Sequence, residues 1–209
     1  MANRTIITIG RQFGSGGREV GLKLSERLGI KFYDKELLNE AARESGLSRE
    51  VIEQFDERPV NSLLYSLSMG LVQGTHPTAL NESTSLESQI YMAQFNAIRR
   101  IADTEDCIII GRCADYVLRD VPDVMSVFIH APIESRTRRI AKLYEIDRDK
   151  AKKLIDKKDK VRSSYYNFYS DRRWGASTSY SLTLDSSKTG IDGAAELIEA
   201  YTKIYNNNK

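Results

Sequence analysis

The segment Gly10-Arg11-Gln12-Phe13-Gly14-Ser15-Gly16-Gly17-Arg18-Glu19 holds the residue types of an anion cradle. Glycines let successive backbone N–H groups converge on one anion, and a helix N-terminus adds partial positive charge. Before the loop lies the apolar, β-branched run Ile6-Ile7-Thr8-Ile9. After it, Val20, Leu24 and Leu28 fall on one helical stripe. Strand, glycine loop and helix in this order suit phosphate binding, and the loop nearly fits the pattern G-x-x-x-x-G-K-[ST]. It departs at the charged position. With Ile9 closing the strand, Gly16 takes the second glycine's place, Gly17 the lysine's and Arg18 that of the hydroxyl residue. Arg18, or Arg11, is then the substitute cation, since a guanidinium can fork onto two phosphate oxygens. The hydroxyl that would hold Mg²⁺ is also missing from its position, unless Ser15 supplies it from another place. The competing reading is a tight turn without a ligand, with Arg18 paired to Glu19 or Glu26 on the helix face.

Other charged residues stand where a second substrate would lie. Asp34 precedes a helix beginning at Lys35; its carboxylate could cap that helix, bind Mg²⁺ through water, or accept a proton from an attacking phosphate. Arg112 follows a strand candidate through Gly111, at the carboxyl edge where open α/β sheets take ligands. A cation there could hold an acceptor's phosphate. Asp115 comes shortly after and could orient Arg112 or cap the next turn. Between Arg136 and Arg162, twelve Lys/Arg stand against five Asp/Glu, although the whole chain carries only +2. Such a block suits a lid over polyphosphate or a solvated helix face. Arg136, Arg139, Asp159, Lys160 and Arg162 are its candidates, with Asp159 and Arg162 on one helical face. Arg162 could reach a transferring phosphoryl group on closure, and closure would exclude water. Tyr165, Tyr166, Tyr169, Trp174 and Tyr180 follow, and read as packing of the lid's end onto the core, with base stacking as the alternative.

These groups need a scaffold that gathers them at one edge. Strand candidates cover 5–9, 31–33, 107–110, 125–129 and 182–184, with the apolar, β-branched character of strands buried on both faces. Helical patterns separate them: 35–45 ending at Gly46, another capped by Ser48 and carrying Val51, Ile52 and Phe55, a third near 60–71, and a long one near 85–103. A loop at 73–80 is rich in turn formers, and a closing helix spans about 191–205. The expected architecture is a three-layer α/β fold, a five-stranded parallel sheet with helices on both faces. One domain would fill 1–209: a core of 1–34 and 104–209, a helical insertion at about 35–103 and a lid at about 145–175.

Composition narrows the class. A chain of 209 residues, 41% hydrophobic, suits one globular domain. Net charge near zero gives no reason to expect nucleic acid. Cys107 and Cys113 form no C-x-x-C pair, no apolar stretch reaches membrane-spanning length, and the N-terminus has no secretory core. The expectation is a cytoplasmic protein without disulfides or membrane contact. His76 and His130 lack ligand spacing, and no residue is assigned to a metal. A dimer is compatible with the pattern.

Five motifs carry a resemblance. They are Ile7-Thr8-Ile9-Gly10-Arg11-Gln12-Phe13-Gly14-Ser15-Gly16-Gly17-Arg18-Glu19; Phe32-Tyr33-Asp34-Lys35; Ile109-Ile110-Gly111-Arg112-Cys113-Ala114-Asp115; Asp159-Lys160-Val161-Arg162-Ser163-Ser164-Tyr165-Tyr166; and Trp174-Gly175 with Tyr180-Ser181-Leu182. In this order, across nearly the whole chain, the set resembles the cytidylate kinase-like family, related to the P-loop nucleoside monophosphate kinases. The resemblance implies a P-loop kinase core with an inserted acceptor-binding region and a lid. It also implies ATP and Mg²⁺, and γ-phosphoryl transfer to a small acceptor such as CMP or dCMP. The donor nucleotide is then expected at Arg11, Gly14, Ser15, Gly16, Gly17, Arg18 and Glu19, and the acceptor at Asp34, Arg112, Asp115 and Asp159. Arg18, Arg162 and Asp34 are the catalytic candidates. The chain departs from cytidylate kinases at the missing loop lysine and at Cys113, where those enzymes carry aspartate. Its lid also holds lysines and tyrosines in place of many arginines. A kinase for another small molecule, or a nucleotide sensor without turnover, remains the alternative.

Overall fold

Strand β1 (Ile6–Arg11) is apolar on both faces, and it lies at the centre of the sheet. The computed structural model describes residues 4–54 and 78–207; the helix expected near 60–71, Phe55 and His76 lie outside the described residues. β1 pairs in parallel with β3 (Cys107–Ile110) on one side and β4 (Val124–His130) on the other, with Ile9 opposite Ile110 and Val127. β2 (Lys31–Tyr33) joins β3, and β5 (Leu182–Asp185) joins β4, giving the order β2-β3-β1-β4-β5, all parallel. All five strands lie where the sequence predicts them, within a residue or two.

Helices cover both faces. Ile7, Ile9, Ile108, Ile110, Val127 and Ile129 point to one side, where α1 (Gly17–Leu28) and α8 (Ser186–Asn207) bury Val20, Leu24, Ala194 and Ile198 against them. Ile6, Cys107 and Ile109 point to the other. There α2 (Glu36–Ser45), α3 (Arg49–Gln54), α4 (Thr78–Thr104) and the short α5 (Ala114–Val117) close the second core through Leu37, Leu38, Ile52, Ala97 and Ile98. Burial of this kind contributes roughly 25 cal/mol per Å² of apolar surface removed from water.

Two boundaries differ from the sequence reading. α4 begins at Thr78 rather than near 85, because the polar run Asn81–Ser85 carries no apolar stripe to announce a helix. α8 begins at Ser186 rather than 191. Gly190 breaks it with φ 68° and ψ −177°, so its first turn stands apart from the apolar stripe behind the break.

After β4 the chain forms a helical hairpin, α6 (Ile133–Tyr144) and α7 (Arg148–Tyr169). Asp147 caps α7 by accepting the Lys150 N–H at 2.8 Å. Ile140, Ala151 and Ile155 are the hairpin's own small core, and Phe13 from the glycine loop packs against it. The hairpin therefore rides directly on the loop after β1. Tyr165, Tyr166 and Tyr180 are buried with Cys113 and Phe128, and Trp174 and Tyr169 pack onto them. The aromatic residues thus form one packed cluster, with Trp174 edge-on to Phe128 at 5.3 Å between ring centroids. Among the described residues, no helix is long and apolar enough to cross a membrane.

Candidate active site

Five parallel strands bring five carboxyl ends to one edge, and the residues singled out in the sequence gather there. The loop leaving β1 turns into α1 through Gly14 and Gly16, both at φ 80°, a region that side chains rarely adopt. Gly16 is the N-cap of α1 and has no side-chain cap. The first-turn N–H groups thus lack intrahelical partners, at the positive end of the helix dipole.

The loop is held in shape by its surroundings. Gln12 donates its N–H to the Ile129 carbonyl at 3.0 Å and accepts the Ala131 N–H on Oε1 at 3.1 Å. Ser15 is buried and donates Oγ–H to the Gln12 carbonyl at 2.9 Å. Ser186 Oγ lies 2.6 Å from the Ser15 carbonyl oxygen and 3.1 Å from that of His130, and shares its proton between them. Neither Gln12 nor Ser186 was singled out in the sequence, where nothing local announces such long-range partners. A Cβ on Gly17 would stand 2.6 Å from Arg11 Cβ. Gly17→Ala is therefore expected to cost about 1–3 kcal/mol by overpacking, read as a fall in Tm of roughly 2–4 °C per kcal/mol in a thermal melt.

Asp34 is the hub of a cluster of guanidiniums. It receives Arg18 Nε–H at 2.7 Å on Oδ2 and Arg112 Nη1–H at 3.1 Å on Oδ1. The helix-cap reading fails here: α2 starts with Lys35 as N-cap and no side-chain cap, because the Asp34 carboxylate is engaged by the two guanidiniums. Burial pushes its carboxyl up, but Arg112, Arg18 and, further off, Arg11 outweigh that and hold it below the usual carboxylate range. Arg18 pairs with neither Glu19 nor Glu26; its guanidinium lies over the Phe32 ring at 5.6 Å. Arg112 is only 3% exposed and also donates to the Ile110 carbonyl at 3.0 Å. It is aimed inward by a run of left-handed backbone, with Gly111 at φ 70°, Arg112 at 52° and Cys113 at 53°. Such strain in non-glycine residues persists only where the surroundings over-determine it.

Residues of the helical hairpin pack against the loop from the other side. Asp159 of α7 accepts the Phe13 N–H at 2.7 Å and Arg136 Nη1–H at 2.6 Å. Arg136 also donates to the carbonyls of Ala131 and Phe13. Asp159, expected at the acceptor, thus latches α7 to the glycine loop. Arg162 lies over the Phe13 ring at 5.5 Å, and Glu19 pairs with Arg139 of α6 at 2.7 Å. A cavity of about 20 Å³ between the loops, bordered by Arg11, Arg112, Arg162, Tyr165 and Tyr166, has room for one water.

Asp115 is engaged by partners other than Arg112. It accepts Tyr166 O–H at 2.7 Å, and Arg172 comes to 4.0 Å. Burial raises its carboxyl above the usual range, and the Tyr166 hydroxyl, Arg172 and nearby backbone N–H groups only partly offset this. An acid raised on folding binds its proton more tightly in the native state, so stability falls as pH rises from the unfolded value, about 3.9, through the folded one. Asp115→Asn should flatten that decline, measured by urea unfolding between about pH 4 and pH 8.

A parallel sheet in the order β2-β3-β1-β4-β5, with a glycine turn after its central strand, is the fold of the P-loop kinases. The comparisons carry this to a family: the cytidylate kinase-like family model matches residues 6–188, and the chain belongs to that family. The cytidylate kinase of Methanopyrus kandleri is 25% identical over 205 residues, covering 93% of this chain and 91% of that protein. Among solved structures, an uncharacterized protein from Eubacterium ventriosum is similar with a TM-score of 0.72 and 31% identity, covering 96% of this chain and 99% of the other. Shikimate kinase from Bacteroides thetaiotaomicron shares the fold, with a TM-score of 0.52 and 14% identity over 95% of this chain and 98% of its own.

Proposed function

We propose that this protein transfers the γ-phosphoryl group of ATP to a small phosphate-bearing acceptor, a nucleoside monophosphate such as CMP or dCMP. The observation that carries the reading is the pairing of two sites at one sheet edge. One is the uncapped turn at Gly14–Gly17, suited to a donor's phosphates; the other is the Asp34–Arg112–Arg18 cluster, suited to an acceptor's. The likeness to an archaeal cytidylate kinase over nearly the whole chain supports it. Phosphoryl transfer asks little covalent chemistry of a protein and much positioning and charge neutralisation. On this reading Arg112 grips the acceptor phosphate, Asp34 holds Arg112 and Arg18 in line, and Arg162 meets the charge spreading over the transferred group when the lid closes. The lid excludes water, which keeps transfer ahead of hydrolysis.

The residues present suit a Mg²⁺ carried on the donor's phosphates, which needs only one or two protein oxygens. Ser15 Oγ donates inward to Gln12 and keeps its lone pairs for such an ion. When bound, such an ion would supply charge neutralisation on the donor's phosphates. Asp34, engaged by two guanidiniums, serves better as their anchor than as a metal ligand. A cytoplasmic site of action is part of the proposal.

The test is ADP formation from ATP and Mg²⁺ across CMP, dCMP, UMP, AMP, GMP, shikimate and gluconate. Stimulation by CMP or dCMP above the others is the expected result. Preference for a non-nucleotide acceptor overturns the acceptor assignment. A second reading, nucleotide sensing without turnover, draws on the loop's lack of a lysine between Gly10 and Arg18; tight ATP binding with no acceptor-stimulated ADP would favour it.

A further inference from the structure

The loop lacks the lysine that would meet a donor's phosphates, and its two arginines face elsewhere: Arg11 borders the small cavity beside Arg112 and Arg162, and Arg18 leans toward Asp34 and Phe32. Those residues belong to the β2 side of the sheet, across β3 from β1. The cation must come from elsewhere. α6 enters from β4, on the opposite side of β1, and lays two arginines one turn apart along the loop. Arg136 Cβ comes within 3.3 Å of where a Gly14 Cβ would stand, and Arg139 Cζ within 3.5 Å of where a Gly16 Cβ would stand. Arg136 is buried and bound to Asp159 and to the carbonyls of Phe13 and Ala131. Arg139 is more than a third exposed, and its recorded ion pair is with Glu19 at 2.7 Å.

Glu19 is the third residue of α1, counted from the Gly16 cap. Its other oxygen, Oε2, reaches 3.4 Å from the same Gly16 Cβ position. A carboxylate held by a guanidinium thus already lies beside the helix N-terminus, where the dipole favours an anion. We propose that Arg139, rather than Arg18, supplies the cation of the missing lysine, and that Glu19 occupies its guanidinium until a donor phosphate displaces it. The inference rests on the reading of the glycine turn as the donor site. It gives the two arginines separate duties: Arg139 for the donor, Arg18 for the acceptor side.

The exchange is favourable because it trades one carboxylate for a more highly charged phosphate on the same donors, and frees Glu19 to solvent. The pair itself is exposed, so its loss alters stability little. This separates a binding role from a structural one. If the pair merely braced α1 against α6, Glu19→Gln would leave nucleotide affinity unchanged or weaker. If Glu19 competes with phosphate, the same substitution tightens it.

The experiment is calorimetric titration of the full chain with ATP and Mg²⁺, for wild type, Arg139→Ala, Arg139→Lys, Glu19→Gln and Arg18→Ala, each first checked by thermal melt. Expected are at least a tenfold weakening for Arg139→Ala, partial recovery for Arg139→Lys, and a severalfold tightening for Glu19→Gln. Arg18→Ala should change ATP affinity less than twofold while raising the KM for the acceptor. A tenfold loss in Arg18→Ala with none in Arg139→Ala overturns the assignment and leaves the donor site standing. Failure of Glu19→Gln to tighten binding overturns the displacement. Wild type that does not bind ATP overturns both this inference and the donor reading beneath it.

Discussion

Arg112→Ala is expected to cost roughly 3–5 kcal/mol of stability, because it strips a buried carboxylate of its best partner. Domains of this kind carry only about 5–15 kcal/mol in total. The Arg112 side chain is 3% exposed and its Nη1 serves both Asp34 and the Ile110 carbonyl. Arg18, the remaining partner, is 55% exposed and cannot fully replace it. The pH dependence gives an independent check. Asp34 has its carboxyl lowered on folding, so its contribution is present above the unfolded value of about 3.9 and lost as pH falls through the folded one. The gap between wild type and Arg112→Ala should therefore be widest near neutrality and shrink in acid. Backbone strain is separable. Arg112 sits at φ 52°, where glycine avoids a penalty of roughly 1–2 kcal/mol that alanine retains, so Arg112→Gly should fall less far than Arg112→Ala. If Arg112 also grips the acceptor's phosphate, acceptor-dependent kcat/KM drops by about 100-fold or more in both variants alike. Equal stability of all three proteins by urea unfolding would show that Asp34 does not depend on Arg112.

The strands were readable because burial on both faces leaves a plain mark: Ile6-Ile7-Thr8-Ile9 and Cys107-Ile108-Ile109-Ile110 offer no polar face to solvent. The glycine turn was readable because its chemistry is local. Partners far apart in sequence were not. Asp34 read as a helix cap or as a carboxylate for Mg²⁺ or a proton, since the residues beside it say only that a helix follows. Its actual partners lie 16 and 78 residues away: Arg112 meets it because β2 and β3 are neighbours, and Arg18 reaches it from the start of α1. Asp159 read as an acceptor contact for the same reason. It meets Phe13 across 146 residues, through a hairpin whose docking no local pattern encodes. Arg139 read only as part of the basic block; that it lies beside the glycine turn depends on how α6 packs, which no local pattern shows.

The lid latch is the second place where one substitution should have a large effect. Asp159→Ala removes the acceptor of both the Phe13 N–H and Arg136 Nη1. Arg136 is 9% exposed on its side chain, and a buried guanidinium left without its carboxylate costs roughly 3 kcal/mol or more. In a chain of this size that is a Tm lower by about 6–12 °C. Arg136 keeps its bonds to the Ala131 and Phe13 carbonyls, so the hairpin loosens without the sheet losing its core. The Arg136→Met, Asp159→Ala double variant should be more stable than the sum of the singles predicts, since removing both charges leaves neither unpaired. Function should follow the same split. On the proposed function, untying α7 from the loop would let water reach the glycine turn, so ATP hydrolysis without acceptor should rise relative to transfer. Hydrogen exchange would localise the change: amides of α7 and of Phe13 lose protection, while those of β1 and β3 keep theirs. Additive singles, or an unchanged ratio of hydrolysis to transfer, would show that the hairpin stays closed through the packing of Phe13 on Ile140 and Ile155 alone.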